Sequence, residues 1–318
     1  MLKNFIVPKN SISIVIPIYK NELHISELIT RIKASIESIT KFYEIILVID
    51  GSPDESLSLI KKIAEKENRI KVINFSRNFG QHYAITAGLE FSKFQSIIIM
   101  DGDLQDQPEA IIDLYTKKLE GFDIVLAKRV TRKDKFIKRI TSKIFYIVLG
   151  YLTNTKQNAE VGNFGVYDRK VVLAILSMRD YFRYLPTQAQ WVGFKRTEIE
   201  VHHEYRLKDA SSYSYKKLFN LAFDTIISYS DKPLQLTIKL GLTIFISSFI
   251  FAIYILYQHF NGYITQLGYA SLILSIWALG GLIIFTLGVI GIYVSKMFET
   301  VKDRPKYIIN DTMNFDEN

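Results

Sequence analysis

The chain has 318 residues, 48% of them hydrophobic, and its 40 Lys and Arg against 32 Asp and Glu leave a formal net charge of +8. It contains no cysteine, which excludes disulfides, thiolate metal sites and cysteine nucleophiles. The basic balance suits phosphorylated ligands and anionic lipid head groups; no nucleic-acid recognition module accompanies it, so nucleic acid is not an expected partner.

Residues 11–18 (SISIVIPI) form an apolar run predicted as a strand, and Ile25, Leu28, Ile29, Ile32, Ile36 and Ile39 then recur at helical spacing. Residues 44–49 are a second predicted strand, closed by Asp50-Gly51-Ser52-Pro53-Asp54; Ser52 is the expected N-cap of the next helix, with Pro53 at its first position. A third strand at 69–75 leads into Ser76-Arg77-Asn78-Phe79-Gly80-Gln81-His82 and a helix to about residue 91. A fourth strand, a helix over 108–120 and a fifth strand over 123–127 follow. Alternation of this kind predicts an α/β fold with a doubly wound sheet.

The fourth strand is the most informative. Residues 97–108 read IIIMDGDLQDQP, four apolar residues ending in two carboxylates separated by one glycine. At a strand's C-terminal end, Asp101 and Asp103 can point into one crevice, and Gly102 places no Cβ between them. Hard oxygens at that spacing suit Mg²⁺ or Mn²⁺ shared with substrate phosphates; the plain alternative is a polar turn. The clusters at 19–22, 50–54, 76–82 and 101–105 all fall just after a strand, the edge where open α/β sheets bind ligands. No Gly-x-Gly-x-x-Gly or Walker-type loop is present, which argues against dinucleotide binding and ATP hydrolysis.

A basic run comes next: Lys128, Arg129, Arg132, Lys133, Lys135, Lys138 and Arg139. It continues into an amphipathic, aromatic stretch, and residues 215–229 have the same character. Both are predicted as interfacial helices, near 134–152 and 215–230. Between Lys239 and Lys296 there is no charged residue. One crossing takes about 20 residues, so this tract predicts two membrane helices, near 236–258 and 267–295. Lys232 and Lys239 precede them and Lys296, Lys302, Arg304 and Lys306 follow, whereas the connecting loop has neither Lys nor Arg. Both termini are therefore expected in the cytoplasm. The first residues carry no signal-peptide pattern. The expected organisation is a cytosolic domain over 1–230, a hairpin over 231–298 and a cytosolic tail over 299–318.

Taken together, these residues resemble the inverting polyprenyl-phosphate glycosyltransferases related to dolichyl-phosphate mannose synthase. The matching pieces are residues 16–22 (IPIYKNE), 50–54 (DGSPD), 76–80 (SRNFG) and 100–106 (MDGDLQD), then 287–293 (LGVIGIY) and 301–305 (VKDRP). Gln81-His82 is also similar to the subgroup that transfers formamido-arabinose to undecaprenyl phosphate. The resemblance implies a nucleotide-sugar-binding domain of the glycosyltransferase A type, anchored in the inner (cytoplasmic) membrane by two C-terminal helices. It implies a nucleotide sugar, with a UDP-sugar as the first expectation, a polyprenyl phosphate acceptor, a membrane and a homo-oligomer as partners. Pro17, Tyr19, Glu22 and Asp50 would line the nucleotide pocket along with Asp101 and Gly102, and Asp101, Asp103 and Gln105 would hold the metal. Arg129, the Lys138/Arg139 pair and Ser142 would grip the lipid phosphate, with Arg206 near the phosphates.

Three positions depart from that pattern. The usual paired acid before Gly-Ser is Ile49-Asp50, the common Gly-Asp-Phe is Gly162-Asn163-Phe164, and a common Lys is Ser212. They leave open the sugar preference and any catalytic role of Asn163. They also keep open an alternative, a catalytically silent membrane scaffold or sugar-nucleotide sensor. A processive polysaccharide synthase fits less well, since residues 187–191 (TQAQW) lack the arginine of that class's Gln-x-x-Arg-Trp motif.

Overall fold

The computed structural model describes residues 8, 10–129, 150–152, 161–178, 180, 183–202, 223–261 and 268–315. The chain divides into two compact units, one made of residues 1–150, 155–214 and 305–318, the other of residues 151–154 and 215–304.

The first unit is built on one eight-stranded sheet. In chain order it contains β1 (Ile12–Ile18), α1 (Ile25–Glu37), β2 (Tyr43–Ile49), α2 (Ser56–Ala64), β3 (Ile70–Phe75), α3 (Gln81–Phe91), β4 (Ser96–Ile99), α4 (Ala110–Leu119), β5 (Ile124–Arg129), β6 (Val161–Asp168), α5 (Arg169–Ser177), α6 (Leu185–Trp191), β7 (Arg196–Val201) and β8 (Ile309–Met313). The strands lie in the order β7-β5-β6-β4-β1-β2-β3-β8. β4, β1, β2 and β3 are mutually parallel, so their C-terminal ends share one edge. β6 runs antiparallel between β4 and β5, and β8 closes the sheet antiparallel to β3.

The parallel strands are apolar on both faces because helices cover both. Ile12, Ile14, Ile16 and Ile18 of β1 pack with Leu28, Ile32 and Ile36 of α1, Ile60 of α2 and Leu114 of α4. Val15, Ile46, Val48 and Ile97 pack on the other face with Ala84, Ile85 and Leu89 of α3 and Val171 and Ile175 of α5. Such burial stabilises by roughly 25 cal/mol per Å² of apolar surface, and it holds the polar strand ends in register. One local expectation fails. Helix α2 starts at Ser56 with Glu55 as its N-cap residue, and not at Pro53. The Ser52 hydroxyl instead donates to Asp54 and accepts from the Lys20 amide, because the tertiary contact competes successfully with the local cap.

The second unit holds α7 (Lys232–Phe260) and α8 (Tyr269–Val301), slightly longer than the expected spans. At 1.5 Å per residue these 29- and 33-residue helices are about 44 and 50 Å long, above the roughly 30 Å of a hydrocarbon core. Their segments Lys232–Phe251 and Ser275–Val301 are long and apolar enough to cross a membrane, and almost none of that surface is buried by protein. Within this unit the Tyr293 hydroxyl donates to the Ser230 carbonyl at 2.7 Å, and Lys296 pairs with Asp224 at 2.9 Å. Residues 223–229 are helical, and the rest of the two predicted interfacial stretches lies largely outside the described residues.

Candidate active site

The loops after β1, β2, β3 and β4 meet along the shared edge. The first two are laced together by local hydrogen bonds. The Tyr19 amide donates to Asn21 at 3.1 Å, the Glu22 amide to Asp54 at 3.2 Å, and the Glu55 amide to the Glu22 carboxylate at 3.0 Å. Lys20, in the left-handed region at φ 58, donates its amide to Ser52 at 2.7 Å. Burial alone would raise the Asp54 carboxyl, but the Ser52 and Ser56 hydroxyls and the Glu22 and Ser56 amides pull it below its usual range. Tyr19 is left exposed on the loop, and Pro17 is buried in β1.

Asp50 ties the second loop to the third. Its two carboxylate oxygens accept the backbone N–H groups of Phe79, at 2.6 Å, and Gly80, at 2.9 Å. The carboxyl is 2% exposed, and burial raises its pKa against those amides and nearby Arg77. Next to it, Gly51 sits at φ 57, and a Cβ there would lie 2.3 Å from the Arg77 carbonyl carbon. Only glycine combines that backbone angle with that approach. Asp50 thus braces the edge of the crevice through main-chain groups.

The fourth loop carries the charge. Asp103 accepts the Gln105 amide at 3.2 Å, an Asx-type turn that leaves Leu104 at φ 59 with its side chain buried. Gly102 serves packing more than ligand access: a Cβ there would fall 2.8 Å from Ile18 Cδ1 and 3.3 Å from the Pro17 carbonyl oxygen. Asp101 accepts a 2.6 Å hydrogen bond from the Gln81 side chain at the start of α3. Burial, then the charges of Asp106 and Asp103, push the Asp101 carboxyl up to about 7, with Arg129 and Gln81 opposing. Asp106 is fully buried and accepts from Arg129 at 3.2 Å, and the Arg129 guanidinium lies against Gly162 of β6, next to Asn163.

The structure therefore brings Asp101, Asp103, Gln105 and Arg129 into one cluster and places Asn163 beside it. It ties Tyr19, Glu22 and Asp50 into the adjoining loops. Lys138, Arg139, Ser142, Arg206 and Ser212 lie outside the described residues. Two participants escaped the sequence reading, Gln81 as the partner of Asp101 and Asp106 as the partner of Arg129. A second acid three residues after Asp103, facing a strand that ends in Lys128-Arg129, was the available signal for the latter. His82, like Gln81, is singled out in the sequence only through the resemblance, with no role attached. Its ring meets Tyr184 edge-on at 5.1 Å, burial lowers its pKa to about 4, and its buried Nδ1 has no hydrogen-bond partner among the described residues.

The charges of Asp103 and Asp106 both bear on the buried Asp101 carboxyl, and hard carboxylate oxygens gathered in this way suit a divalent cation. Among the described residues no group of three or more His, Cys, Asp or Glu is arranged to hold a metal ion by itself.

Sheet topology, the strand-end crevice and the Asp-Gly-Asp turn define a glycosyltransferase of the A type. The chain belongs to glycosyl transferase family 2, whose model matches residues 13–176. Relatives align along nearly its whole length. An uncharacterized glycosyltransferase of Synechocystis sp. is 37% identical over 301 residues, 94% of this chain and 95% of that protein. The undecaprenyl-phosphate 4-deoxy-4-formamido-L-arabinose transferase of Shewanella sediminis is 32% identical over 316 residues, 95% of this chain and 92% of that protein. Among solved structures, mannosyl-3-phosphoglycerate synthase from Rubrobacter xylanophilus superposes with a TM-score of 0.49 at 14% identity, covering 71% of this chain and 74% of that one.

Proposed function

We propose that this glycosyltransferase moves a sugar from a nucleoside-diphosphate donor, a UDP-sugar first, onto a polyprenyl phosphate, undecaprenyl phosphate first, with inversion at the anomeric carbon. The observation that carries the reading is the acidic cluster of Asp101, Asp103 and Asp106 around Arg129 in a chain with two apolar helices of membrane-spanning length. Relatives named for transfer to undecaprenyl phosphate support the choice of acceptor.

Asp101 and Asp103, with Gln105, are the residues that would hold Mg²⁺ or Mn²⁺. Such an ion supplies Lewis-acid stabilisation of negative charge on a diphosphate leaving group. The chain's own residues do the rest. The laced 19–22 and 50–54 loops bound the nucleotide side, Gln81 orients the Asp101 carboxylate, and Asp106 presents the Arg129 guanidinium toward anionic oxygens. A lipid phosphate monoester has a second pKa of about 6 and is mostly dianionic at neutral pH. One of its oxygens forms the new bond to the anomeric carbon while the bond to the diphosphate breaks, the electron pair leaving with the nucleoside diphosphate. No proton has to be removed from the acceptor, so Asn163 suffices where a hydroxyl acceptor would need a base.

Mass spectrometry of lipids, after purified protein is incubated with undecaprenyl phosphate, Mn²⁺ and a panel of nucleotide sugars, tests this directly. A lipid-linked monosaccharide is expected from one donor, and Asp103→Ala should lower its formation by roughly 10²–10³. Equal product from Asp103→Ala, or from protein in excess chelator, would remove the metal assignment. Donor binding with no lipid product from any sugar would instead favour the scaffold reading.

A further inference from the structure

After the second apolar helix the chain returns to the first unit, and residues 305–318 do more there than end the sheet. β8 pairs with β3 from Val72↔Met313 to Phe75↔Ile309, with a register shift between Asn74 and Phe75. Its far end is fastened to the scaffold: Asp311 accepts from Asn74 and pairs with Lys61, and Asn314 donates to the Ala64 and Ile70 carbonyls. Its near end reaches the loop that follows β3. The Ser76 amide donates to the Ile308 carbonyl at 3.0 Å. The Tyr307 ring stacks on Phe75 with centroids 4.9 Å apart, and its hydroxyl donates to Glu90 of α3. Phe75 in turn meets Phe79 edge-on at 5.7 Å, with the Arg77 guanidinium 4.1 Å over the Phe79 ring. Phe79 and Gly80 are the residues whose amides bind Asp50, and Gln81, next in the chain, holds Asp101.

We infer that Tyr307 is a positioning residue for the donor site: the returning tail sets the 76–81 loop from behind, and that loop sets Asp50 and Asp101 in front. Its hydroxyl fixes α3, whose first residue is Gln81, and its ring fixes the aromatic pair beneath the loop. One residue thereby touches both supports of the loop. A loop left to itself samples many conformations, and ordering it costs conformational entropy. Preorganisation of the 76–81 segment therefore shows as donor affinity more than as turnover. The catalytic half of this inference rests on the reading proposed above; the structural half does not.

The test uses the full chain in detergent with Tyr307→Ala, Tyr307→Phe and, as a control in the same tail, Asn314→Ala. Amide hydrogen exchange is read over residues 76–81, and steady-state kinetics with UDP-sugar, Mn²⁺ and undecaprenyl phosphate are read in parallel. Tyr307→Ala should accelerate exchange at Phe79 and Gly80 and raise the donor KM by roughly tenfold, with kcat and the lipid KM within about twofold. Tyr307→Phe keeps the stack and loses the Glu90 bond, so it should fall between; it also carries the test if Tyr307→Ala does not fold. Asn314→Ala should lose thermal stability without moving either readout. Unchanged exchange in both Tyr307 variants, or equal acceleration in Asn314→Ala, overturns the inference. Accelerated exchange in a protein whose wild type transfers no sugar would uphold the positioning role and overturn the proposed function instead.

Discussion

Asp101 shows how much a single carboxyl reports about its surroundings. Burial is the largest reason its pKa climbs to about 7, and Asp106 and Asp103 add to it against Arg129 and Gln81. The ordinary value is near 3.9. A carboxyl raised on folding favours the native state below its unfolded pKa, and that contribution is lost as pH rises through the folded pKa. The metal-free chain should therefore lose stability between about pH 4 and 7 through this residue. A cation held by Asp101, as proposed above, requires the same proton to leave, so its apparent affinity should weaken up to about tenfold per pH unit below 7. The expected outcome is a rise in melting temperature with Mn²⁺ that is much larger at pH 8 than at pH 5.5. Asp101→Asn, which leaves an acceptor for Gln81 but nothing to titrate, should flatten that difference. An equal Mn²⁺ shift at both pH values in wild type would show that Asp101 is not where the cation binds.

At the level of elements, what the sequence made legible is what short-range physics determines. β1 to β4 announce themselves as predominantly apolar runs because both their faces are covered, and Asp101 and Asp103 are legible because they follow such a run directly. β6 mixes two glycines and an asparagine into Val161–Asp168, and β8 is the polar INDTM, so neither carries a strand signal of its own. They exist because a neighbouring edge accepts their hydrogen bonds. The pairs Gln81–Asp101 and Asp106–Arg129 were hidden for the same reason, since each joins residues some twenty positions apart. Gly51 is where turn geometry and tertiary contact coincide, and it allows a graded test. Gly51→Ala combines an unfavourable φ with a backbone overlap against Arg77, whereas Gly193→Ala has a similar φ, +73, and open space around it. The second change should cost about 1–2 kcal/mol, the usual left-handed penalty, and leave donor KM alone. The first should cost more and raise donor KM, because Arg77–Gly80 must move off Asp50. Equal losses of stability with unchanged KM in both, measured by thermal melts and kinetics, would detach this loop from donor binding.

Across the whole molecule, the sheet itself constrains how the chain meets the bilayer. β8 hydrogen-bonds to β3, and both apolar helices lie between them in sequence. If the apolar helices span a membrane, a chain that leaves the sheet and returns to it crosses an even number of times, and two helices satisfy that. The basic residues then choose the side: Lys232, Lys239, Lys296, Lys302, Arg304 and Lys306 all lie toward the helix ends remote from the connecting turn, and the residues joining the two helices carry no Lys or Arg. The unit built on the sheet and both ends of the hairpin are thus predicted to face the cytoplasm. The absence of cysteine makes the check direct, since one introduced thiol is the only one present. Asn261→Cys, in the turn after α7, should react with a membrane-impermeant maleimide in intact cells. Asp303→Cys, just after α8, should react only once the membrane is opened. Labelling of Asp303→Cys from outside would reverse the orientation, and labelling of both from one side would mean that the two apolar helices do not each span the bilayer.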